Sequence, residues 1–519
     1  MLSRARTAIR FGVEARLIEV EVDVAPRGIA SFRVLGAGPS LGRVLEHRLK
    51  TALRNRGLPW PSTPVTVNLS PAGLPQEAAG LDLAVAVACL AAQGLVDETR
   101  LADTVLLGEL RLDGSLRPVP GALAAAEATH AAGLARLACP PALAAEAALV
   151  EAIKVHALSD LGQAVAWLRG EDEAIAPSEP REPSASEAES DGDDVDLAEV
   201  RGHGHARRAL EIAAAGRHGL LLVGPPGSGK SLLARRLPTI LPPLMKTEAL
   251  EVTRVHSAAG LLLGAGSTER ARRRPFRSPH HGVSTAALLG GGKPVAPGEL
   301  TLAHRGVLFL DELPEFRRDA LESLRQPLED GVVEIARTHA RLRLPCATLL
   351  IAAMNPCPCG WVGSPRRPCA CSDTAVHRYR RRVSGPLLDR LDLQVHVPAL
   401  SHRELTSRMP SESSVVVRAR VEAARRRQLD RQGCPNGELR ASELHERLVL
   451  DDESRRLLAH AVDGLGLSAR AHDRVLRVAL TIQDLEAGAT AASWSVTAEA
   501  VAEALAYRHF DRLGGVLAP

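Results

Sequence analysis

A glycine-rich octapeptide in the middle of this 519-residue chain constrains its fold more than any other feature. The octapeptide fits the pattern G-x-x-x-x-G-K-[ST] at every fixed position, between an apolar run (219–223) and the apolar start of a helix (232–236). Strand, glycine loop and helix are the context in which this pattern binds phosphates, because backbone N–H groups and the helix N-terminus face the anion. The predicted nucleotide-binding residues are Gly224, Pro225, Pro226, Gly227, Ser228, Gly229, Lys230 and Ser231.

In such a loop, Lys230 would reach the β- and γ-phosphates of ATP, and the hydroxyl of Ser231 would bind Mg²⁺. The alternative is a chance glycine-rich turn, which the two correct flanks disfavour. A second apolar run, 306–310, ends in Asp311 and Glu312. Acids at such a point hold Mg²⁺ and polarise the attacking water, which we predict for Asp311 and Glu312 respectively. An edge strand that ends in solvated acids is the alternative.

Length and composition limit the other possibilities. A chain of this length is too long for one core and predicts several domains. The net charge of +3 implies no nucleic-acid partner by itself, so any basic surface must be local. No apolar run approaches 18 residues and no secretory signal precedes Glu14, so we expect a cytoplasmic protein without a membrane span.

The chain divides at an acidic segment rich in proline and serine, which cannot bury enough apolar surface to order itself. An acidic regulatory tail in the middle of the chain is the alternative to a linker. Before it, alternating strands and apolar helices indicate an α+β domain. After it come the nucleotide-binding core and then periodic apolar positions that predict only helices, a lid. The predicted domains are 1–170 (α+β), 171–196 (flexible acidic linker), 197–398 (α/β nucleotide core) and 399–519 (all-α lid).

Four of the eight cysteines form two close pairs. Four thiolates in one short loop match the ligand count of a structural, tetrahedral Zn²⁺ site, although the C-x-C spacing is tighter than the usual C-x₂-C. Four reduced cysteines in a loop rich in proline and glycine are the alternative. The predicted zinc ligands are Cys357, Cys359, Cys369 and Cys371.

Several sequence motifs resemble those of a known protein family. The segments FRSPHH (276–281), APGEL (296–300), LRQPLE (324–329) and NPCPCG (355–360) resemble the AAA+ ATPases, in the branch of magnesium-chelatase motor subunits and minichromosome-maintenance helicases. The closer similarity, over nearly the whole chain, is to the ComM/YifB family of magnesium-chelatase-like proteins. The resemblance implies a core with a parallel sheet and a homo-oligomeric ring, usually a hexamer.

The resemblance also implies roles for three residues. Asn355, at the tip of an apolar strand, is similar to the sensor-1 residue that contacts the γ-phosphate or the lytic water. Arg390 is similar to the arginine finger, and Arg470 to the sensor-2 arginine. Fingers of this class act on ATP bound by a neighbouring subunit. A surface salt bridge is the alternative role for either arginine.

Two inserts carry local positive charge, the segment 270–281 and the hairpin pattern 333–344. By resemblance they are the helix-2 insert and the pre-sensor-1 hairpin, which face the pore in related helicases. Arginines there would contact DNA phosphates without reading sequence, and solvated loop charge is the alternative. The predicted DNA contacts are Arg273, Arg277, Arg337 and Arg341.

The first domain resembles the Lon protease domain, with a ribosomal-S5-domain-2-like fold, through segments 67–71, 81–83 and 107–110. Lon-type proteolysis needs a serine nucleophile and a lysine base. Segment 76–81 lacks the serine, and no lysine lies between Lys50 and Lys154, so we predict that the domain is not a protease.

The sequence therefore predicts an ATP-driven ring motor on DNA. The resemblance implies branch migration or helicase activity in homologous recombination of incoming DNA during competence. The main alternative is a chelatase-type ATPase that remodels a protein partner. Chelatase motor subunits are not expected to carry a Lon-like domain in front of the core, which favours the DNA motor.

Overall fold

The computed structural model describes most residues of the chain, and the fold is defined for these residues alone. They are residues 1–36, 39–71, 80–171, 177–178, 195–263, 273–292, 295–337, 340–402, 404, 411–487 and 494–508. The predicted acidic linker lies largely outside them.

The first domain is built on a mixed seven-stranded sheet in the order β3-β4-β2-β1-β5-β8-β9. Its strands are β1 Leu2–Phe11, β2 Glu14–Val24, β3 Phe32–Leu35, β4 Val65–Ser70, β5 Thr104–Leu106, β6 Glu109–Leu110, β7 Leu116–Arg117, β8 Arg136–Cys139 and β9 Lys154–Ala157. Its helices are α1 Pro39–Asn55, α2 Asp82–Ala91, α3 Glu98–Ala102, α4 Ala122–Ala131, α5 Pro141–Ala147 and α6 Leu161–Arg169. The α+β prediction for this domain is confirmed.

Helix α2 is buried on all sides, as its continuous apolar sequence requires. The one acid in it, Asp82, accepts from Arg48 at 2.6 Å and from the backbone N–H of Leu110 at 3.0 Å. Burial raises the pKa of the Asp82 carboxyl, and the pairing with Arg48 opposes this rise. The helix therefore holds the sheet through apolar packing and one paired charge.

The second domain contains a parallel five-stranded sheet in the order β11-β14-β17-β10-β18. Its strands are β10 Leu220–Val223, β11 Phe276–Arg277, β12 Gly290–Gly291, β13 Ala296–Pro297, β14 Val307–Leu310, β15 Val332–Arg337, β16 Ala340–Pro345, β17 Leu349–Met354 and β18 Leu393–His396. Its helices are α7 Gly204–Gly216, α8 Lys230–Ile240, α9 Lys246–Ala258, α10 Thr285–Leu289, α11 Glu299–Leu302, α12 Arg318–Ser323, α13 Arg325–Asp330, α14 Asp373–Arg380 and α15 Gly385–Leu388.

The register of this sheet brings three strand ends together. Val223 pairs with Met354, and Leu310 with Ala352, so β10, β14 and β17 end at the same edge. All three strands are fully buried, which explains their continuous apolar sequences. This edge receives the glycine loop after β10, the acids after β14 and the asparagine after β17.

The third region is helical, as predicted, apart from one short parallel pair of strands. Its elements are α16 Ser414–Gln432, α17 Ala441–Arg447, β19 Val449–Leu450, α18 Asp452–Leu465, α19 Ala469–Glu486, β20 Ser495–Val496 and α20 Ala498–Ala506. A buried ion pair joins α16 and α19, with Arg431 and Asp484 at 2.7 Å. The region shares one apolar core with α7, α8 and one face of the five-stranded sheet.

The first domain contacts the nucleotide core through α4, α5 and α9. Glu127 accepts two hydrogen bonds from Arg254, at 2.9 and 2.5 Å, and Glu146 accepts one from Ser257. Arg10 donates to the carbonyl oxygen of Val295 at 3.1 Å. No helix among the described residues is long and apolar enough to cross a membrane.

Candidate functional site: a phosphate loop and its opposite edge

Lys230 is the first residue of α8 and lies directly beyond the carboxyl end of β10. Its Nζ donates to the carbonyl oxygens of Gly224 at 2.7 Å and Pro225 at 2.9 Å, and to Oδ1 of Asn355 at 3.2 Å. Burial lowers the pKa of the Lys230 amine, and two nearby carboxylates oppose this effect. The structure therefore brings the predicted phosphate lysine and the predicted sensor asparagine into contact.

The loop needs glycine for two different reasons. Gly227 and Gly229 have φ angles of +73° and +89°, a region that side chains disfavour. At Gly224, an added Cβ would lie 2.1 Å from the carbonyl oxygen of Val397. The loop is therefore a tight turn packed against the segment that follows β18. The backbone N–H groups of such a turn can form an anion-binding cradle.

Ser231 and Asp311 meet at the same edge. The hydroxyl of Ser231 donates to Oδ2 of Asp311 at 2.6 Å, although the two residues come from different strand–helix units. A hydroxyl and a carboxylate are the oxygen ligands that Mg²⁺ takes in nucleotide sites. The two predicted magnesium ligands are thus adjacent and fit a hard cation.

Glu312 is held in a strained backbone conformation, with a φ of +54°. Its Oε2 lies 3.1 Å from Nδ1 of His281, which follows the edge strand β11. The ring of His280 packs against that of His281 in a tilted arrangement, with 4.0 Å between the ring centroids. The imidazole therefore restrains the predicted water-polarising acid. Sequence reasoning missed this contact, although the His280–His281 pair was available as a signal.

The four predicted metal ligands lie in the segment 356–372, which joins β17 to α14 and is named here the thiolate loop. Their sulfur atoms lie within 4.8 Å of one another. The Sγ atom of Cys357 is 3.4 Å from that of Cys359 and 3.6 Å from that of Cys369. None of these distances is that of a disulfide. The group, completed by Cys371, fits a four-thiolate metal site.

Arg390 and Arg470 lie elsewhere in the fold. They line one cavity of about 1200 Å³, beyond the amino ends of β10 and β18, and Arg390 there donates to Glu329. Gly219, immediately before β10, lines the same cavity. The phosphate loop follows β10, so the predicted finger and sensor-2 arginines lie at the opposite edge of the sheet from their own chain's loop.

Seven further arginines line this cavity and were not predicted as site residues, and two of them are Arg474 and Arg477. They lie one and two helical turns beyond Arg470 on α19, so the periodicity of the helix was an available signal. Burial lowers the pKa of the Arg474 guanidinium, and Asp392, whose Oδ1 lies 3.5 Å from Nε of Arg474, opposes this effect. Nine arginines and six acids line the cavity, so positive charge from two domains is in excess there.

The predicted DNA contacts occupy varied environments. Arg341 is exposed on the β15–β16 hairpin, and the hairpin backbone includes Arg337, whose side chain lies outside the described residues. Arg277 forms a bidentate ion pair with Glu299, at 2.6 and 2.7 Å, so a phosphate would have to compete with this acid. Arg273 is exposed. These four contacts stay predictions.

Three family models match the chain in the order of its domains. The model described as subunit ChlI of Mg-chelatase matches residues 20–142, and magnesium chelatase subunit ChlI matches residues 196–405. The C-terminal model of the same subunit matches residues 411–508.

Full-length relatives agree with these models. The chain is 39% identical to YifB of Escherichia coli K12 over 515 residues, which cover 99% of this chain and 98% of YifB. It is 38% identical to competence protein ComM of Haemophilus influenzae over 505 residues, 97% of this chain and 96% of ComM. The family implied by the sequence motifs is confirmed, and the chain belongs to the ComM/YifB family of magnesium-chelatase-like AAA+ ATPases.

Proposed function

We propose that this chain forms an ATP-hydrolysing ring motor that acts on DNA in the cytoplasm, as a branch-migration or helicase factor in the recombination of incoming DNA. One observation carries the proposal: the phosphate loop and the arginine cavity lie at opposite edges of one sheet. A single chain therefore holds two half-sites that face away from each other. A head-to-tail ring would join each phosphate loop to the arginines of the next subunit.

Within one chain, Lys230 would bind the β- and γ-phosphates of ATP, and Ser231 with Asp311 would hold Mg²⁺. Glu312 would orient the lytic water once it leaves His281, and Asn355 would contact the γ-phosphate. The hydrogen bonds of Lys230 support these roles, because they link the loop to the tip of β17. Hydrolysis would also need positive charge beside the γ-phosphate in addition to that of Lys230.

Arg390 and Arg470 would supply that charge to the neighbouring subunit. Arg390 cannot reach the phosphate loop of its own chain. It precedes β18, whose four residues span about 13 Å, and the phosphate loop lies beyond the opposite end of this strand. The ion pair between Arg390 and Glu329 would break when a nucleotide-bearing neighbour docks. The proposed oligomer is therefore a closed ring, usually a hexamer.

Two observations favour DNA as the partner. The β15–β16 hairpin presents Arg341 and Arg343 to solvent, and the latter is paired only weakly with Glu334, at 3.4 Å between side chains that are 71% and 63% exposed. One relative is named a competence protein. Arginines at these positions would contact backbone phosphates without sequence preference, and Arg273, Arg277 and Arg337 are the further proposed contacts.

The thiolate loop would hold one structural Zn²⁺. Four thiolates without nitrogen or oxygen ligands favour a tetrahedral soft-ligand site, and zinc is the common occupant of such sites. The Cys357, Cys359, Cys369 and Cys371 sulfur atoms support this assignment by their mutual proximity.

A chelatase-type ATPase that remodels a protein partner is the second candidate, because all three matching family models describe a magnesium chelatase subunit. One of them matches the first domain, which was not expected in front of a chelatase motor, so this domain does not favour DNA over a protein partner. ATP turnover measured with forked, Holliday-junction and single-stranded DNA separates the two functions. The DNA motor predicts stimulation by at least one of these structures, lost when Arg341 and Arg343 are changed to alanine. Turnover unaffected by all three DNAs would favour the protein-remodelling function.

A further inference from the structure

The thiolate loop lies against the ATP site as well as following it in sequence. Its first cysteine is two residues beyond Asn355, and its last is two residues before α14. The loop therefore begins at the predicted sensor and ends at the helix that leads towards Arg390. A rigid loop would fix the sensor, whereas a loose loop would leave the tip of β17 unsupported.

The geometry of the sulfur atoms is close to that of a filled metal site. A Zn–S bond of about 2.3 Å places tetrahedral sulfurs about 3.8 Å apart. The Sγ atoms of Cys357, Cys359 and Cys369 lie 3.4 to 3.6 Å from one another. Backbone N–H groups of Val362 and Cys371 point at the sulfurs of Cys357 and Cys369, both at 3.4 Å. Such N–H donors stabilise thiolates over thiols.

One glycine of this loop contacts the phosphate loop. Gly360 has a φ of +82°, and its N–H donates to the carbonyl oxygen of Cys357 at 2.9 Å. A Cβ at Gly360 would lie 2.4 and 2.8 Å from Cδ and Cγ of Pro226, and 3.7 Å from Cγ of Asn355. The turn between the metal ligands is therefore pressed onto the phosphate loop and the sensor together.

We propose that metal bound by the thiolate loop builds the ATP site, by fixing the positions of Pro226 and Asn355 through Gly360. The inference rests on the proposed roles of the phosphate loop and of zinc. Zinc would then do more than stabilise its own loop, because its loss would displace the residues proposed to bind the γ-phosphate. A displacement of about 1 Å at a reacting centre costs about 100-fold in rate, so a modest shift of this loop is enough.

Two glycines of the loop provide a matched pair of variants. Gly363 has a similar φ of +74°, but an added Cβ there meets nothing within 4 Å. Gly360→Ala and Gly363→Ala therefore impose similar backbone strain, and only the first pushes on Pro226. Both variants should keep one zinc per chain by elemental analysis. Gly360→Ala should lower kcat/KM for ATP by about 10- to 100-fold, and Gly363→Ala should stay within about twofold of the original chain.

The second arm changes the metal itself. Zinc is removed with a chelator under reducing conditions, excess Mg²⁺ is restored, and the binding of a fluorescent ATP analogue is measured before and after Zn²⁺ is added back. The proposal predicts weakened binding in the zinc-free chain, with its helical content kept, and recovery with Zn²⁺ alone. Zinc-free protein that binds and hydrolyses ATP normally would overturn the coupling, as would a fully active Gly360→Ala that retains zinc.

These outcomes are separate from those that test the ring motor. A chain that contains zinc but is never stimulated by DNA would contradict the DNA function and leave the coupling supported by the glycine pair. A chain purified with no zinc, but active on DNA, would overturn the zinc assignment and the coupling, and would leave the DNA function standing.

Discussion

A shared ATP site predicts that two inactive variants restore each other. Lys230→Ala removes the proposed phosphate-binding cation from one edge of a subunit, and Arg390→Ala removes the proposed arginine finger from the other edge. In a randomly mixed ring, an interface is active only where the subunit that supplies the phosphate loop has an intact Lys230 and the neighbour that supplies the arginines has an intact Arg390. This combination arises at about one quarter of interfaces when the two variants are mixed equally in a head-to-tail ring.

The assay is ATP turnover of each variant alone and of equimolar mixtures that have been dissociated and reassembled. Mixed rings are verified by mass or by two affinity tags. The expected turnover is at most about a quarter of that of the original protein, since motors with few active sites lose coordination. A mixture of Lys230→Ala with Asp311→Ala is the matched control, because both changes damage the same edge and no interface is complete. Verified mixed rings of Lys230→Ala and Arg390→Ala without any recovery would refute the shared site.

Three further predictions concern chemistry, metal and DNA. Glu312→Gln should bind ATP with nearly unchanged affinity but turn it over slowly, as measured by nucleotide binding and phosphate release, and normal turnover would remove Glu312 from its proposed role. Purified chain should contain about one zinc by elemental analysis, and Cys357→Ser should lower this content. Changing Arg337 and Arg341 to alanine should spare basal ATP turnover and flatten the slope of log affinity for DNA against log salt by about 0.7 to 0.9 per lost contact. An unchanged slope would show that the hairpin does not grip DNA.

The nucleotide edge was predictable because its signals are local. A phosphate loop needs glycine where φ is positive and apolar residues where its strand is buried, and both requirements are written in consecutive residues. Strands β10, β14 and β17 are buried on both faces, so each appears as a short continuous apolar run. The residue that follows each run, Gly224, Asp311 or Asn355, then marks the carboxyl edge of the sheet.

Other parts of the fold depend on partners that are distant in sequence. Strand β1 was not predicted, because its inward side chains include the small or polar Ser3, Ala5 and Thr7 and therefore do not form an apolar alternation. Its pairing with β2 and β5 provides the missing stabilisation. A pattern that alternates with period 2 detects strands whose buried side chains are large and apolar. It fails where the buried side chains of a strand are small or polar.

The contacts around the site were hidden for the same reason. His281 reaches Glu312 only because β11 and β14 are neighbours in the sheet. The contact of Gly360 with Pro226 joins segments that are far apart in sequence, and no local rule signals it. The family resemblance predicted roles for single residues. The fold shows that these residues lie at two opposite edges of the five-stranded sheet.

The measurement that tests the central claim most directly is the ATP-dependent processing of a synthetic Holliday junction by the purified chain, followed on gels. The proposal predicts that branch migration separates the junction into two duplexes when Mg²⁺ and ATP are present. It also predicts that Lys230→Ala and Arg390→Ala each abolish this conversion. It also predicts faster ATP turnover when the junction is present. An assembled ring that hydrolyses ATP, but neither converts the junction nor responds to it, would contradict the DNA-motor function.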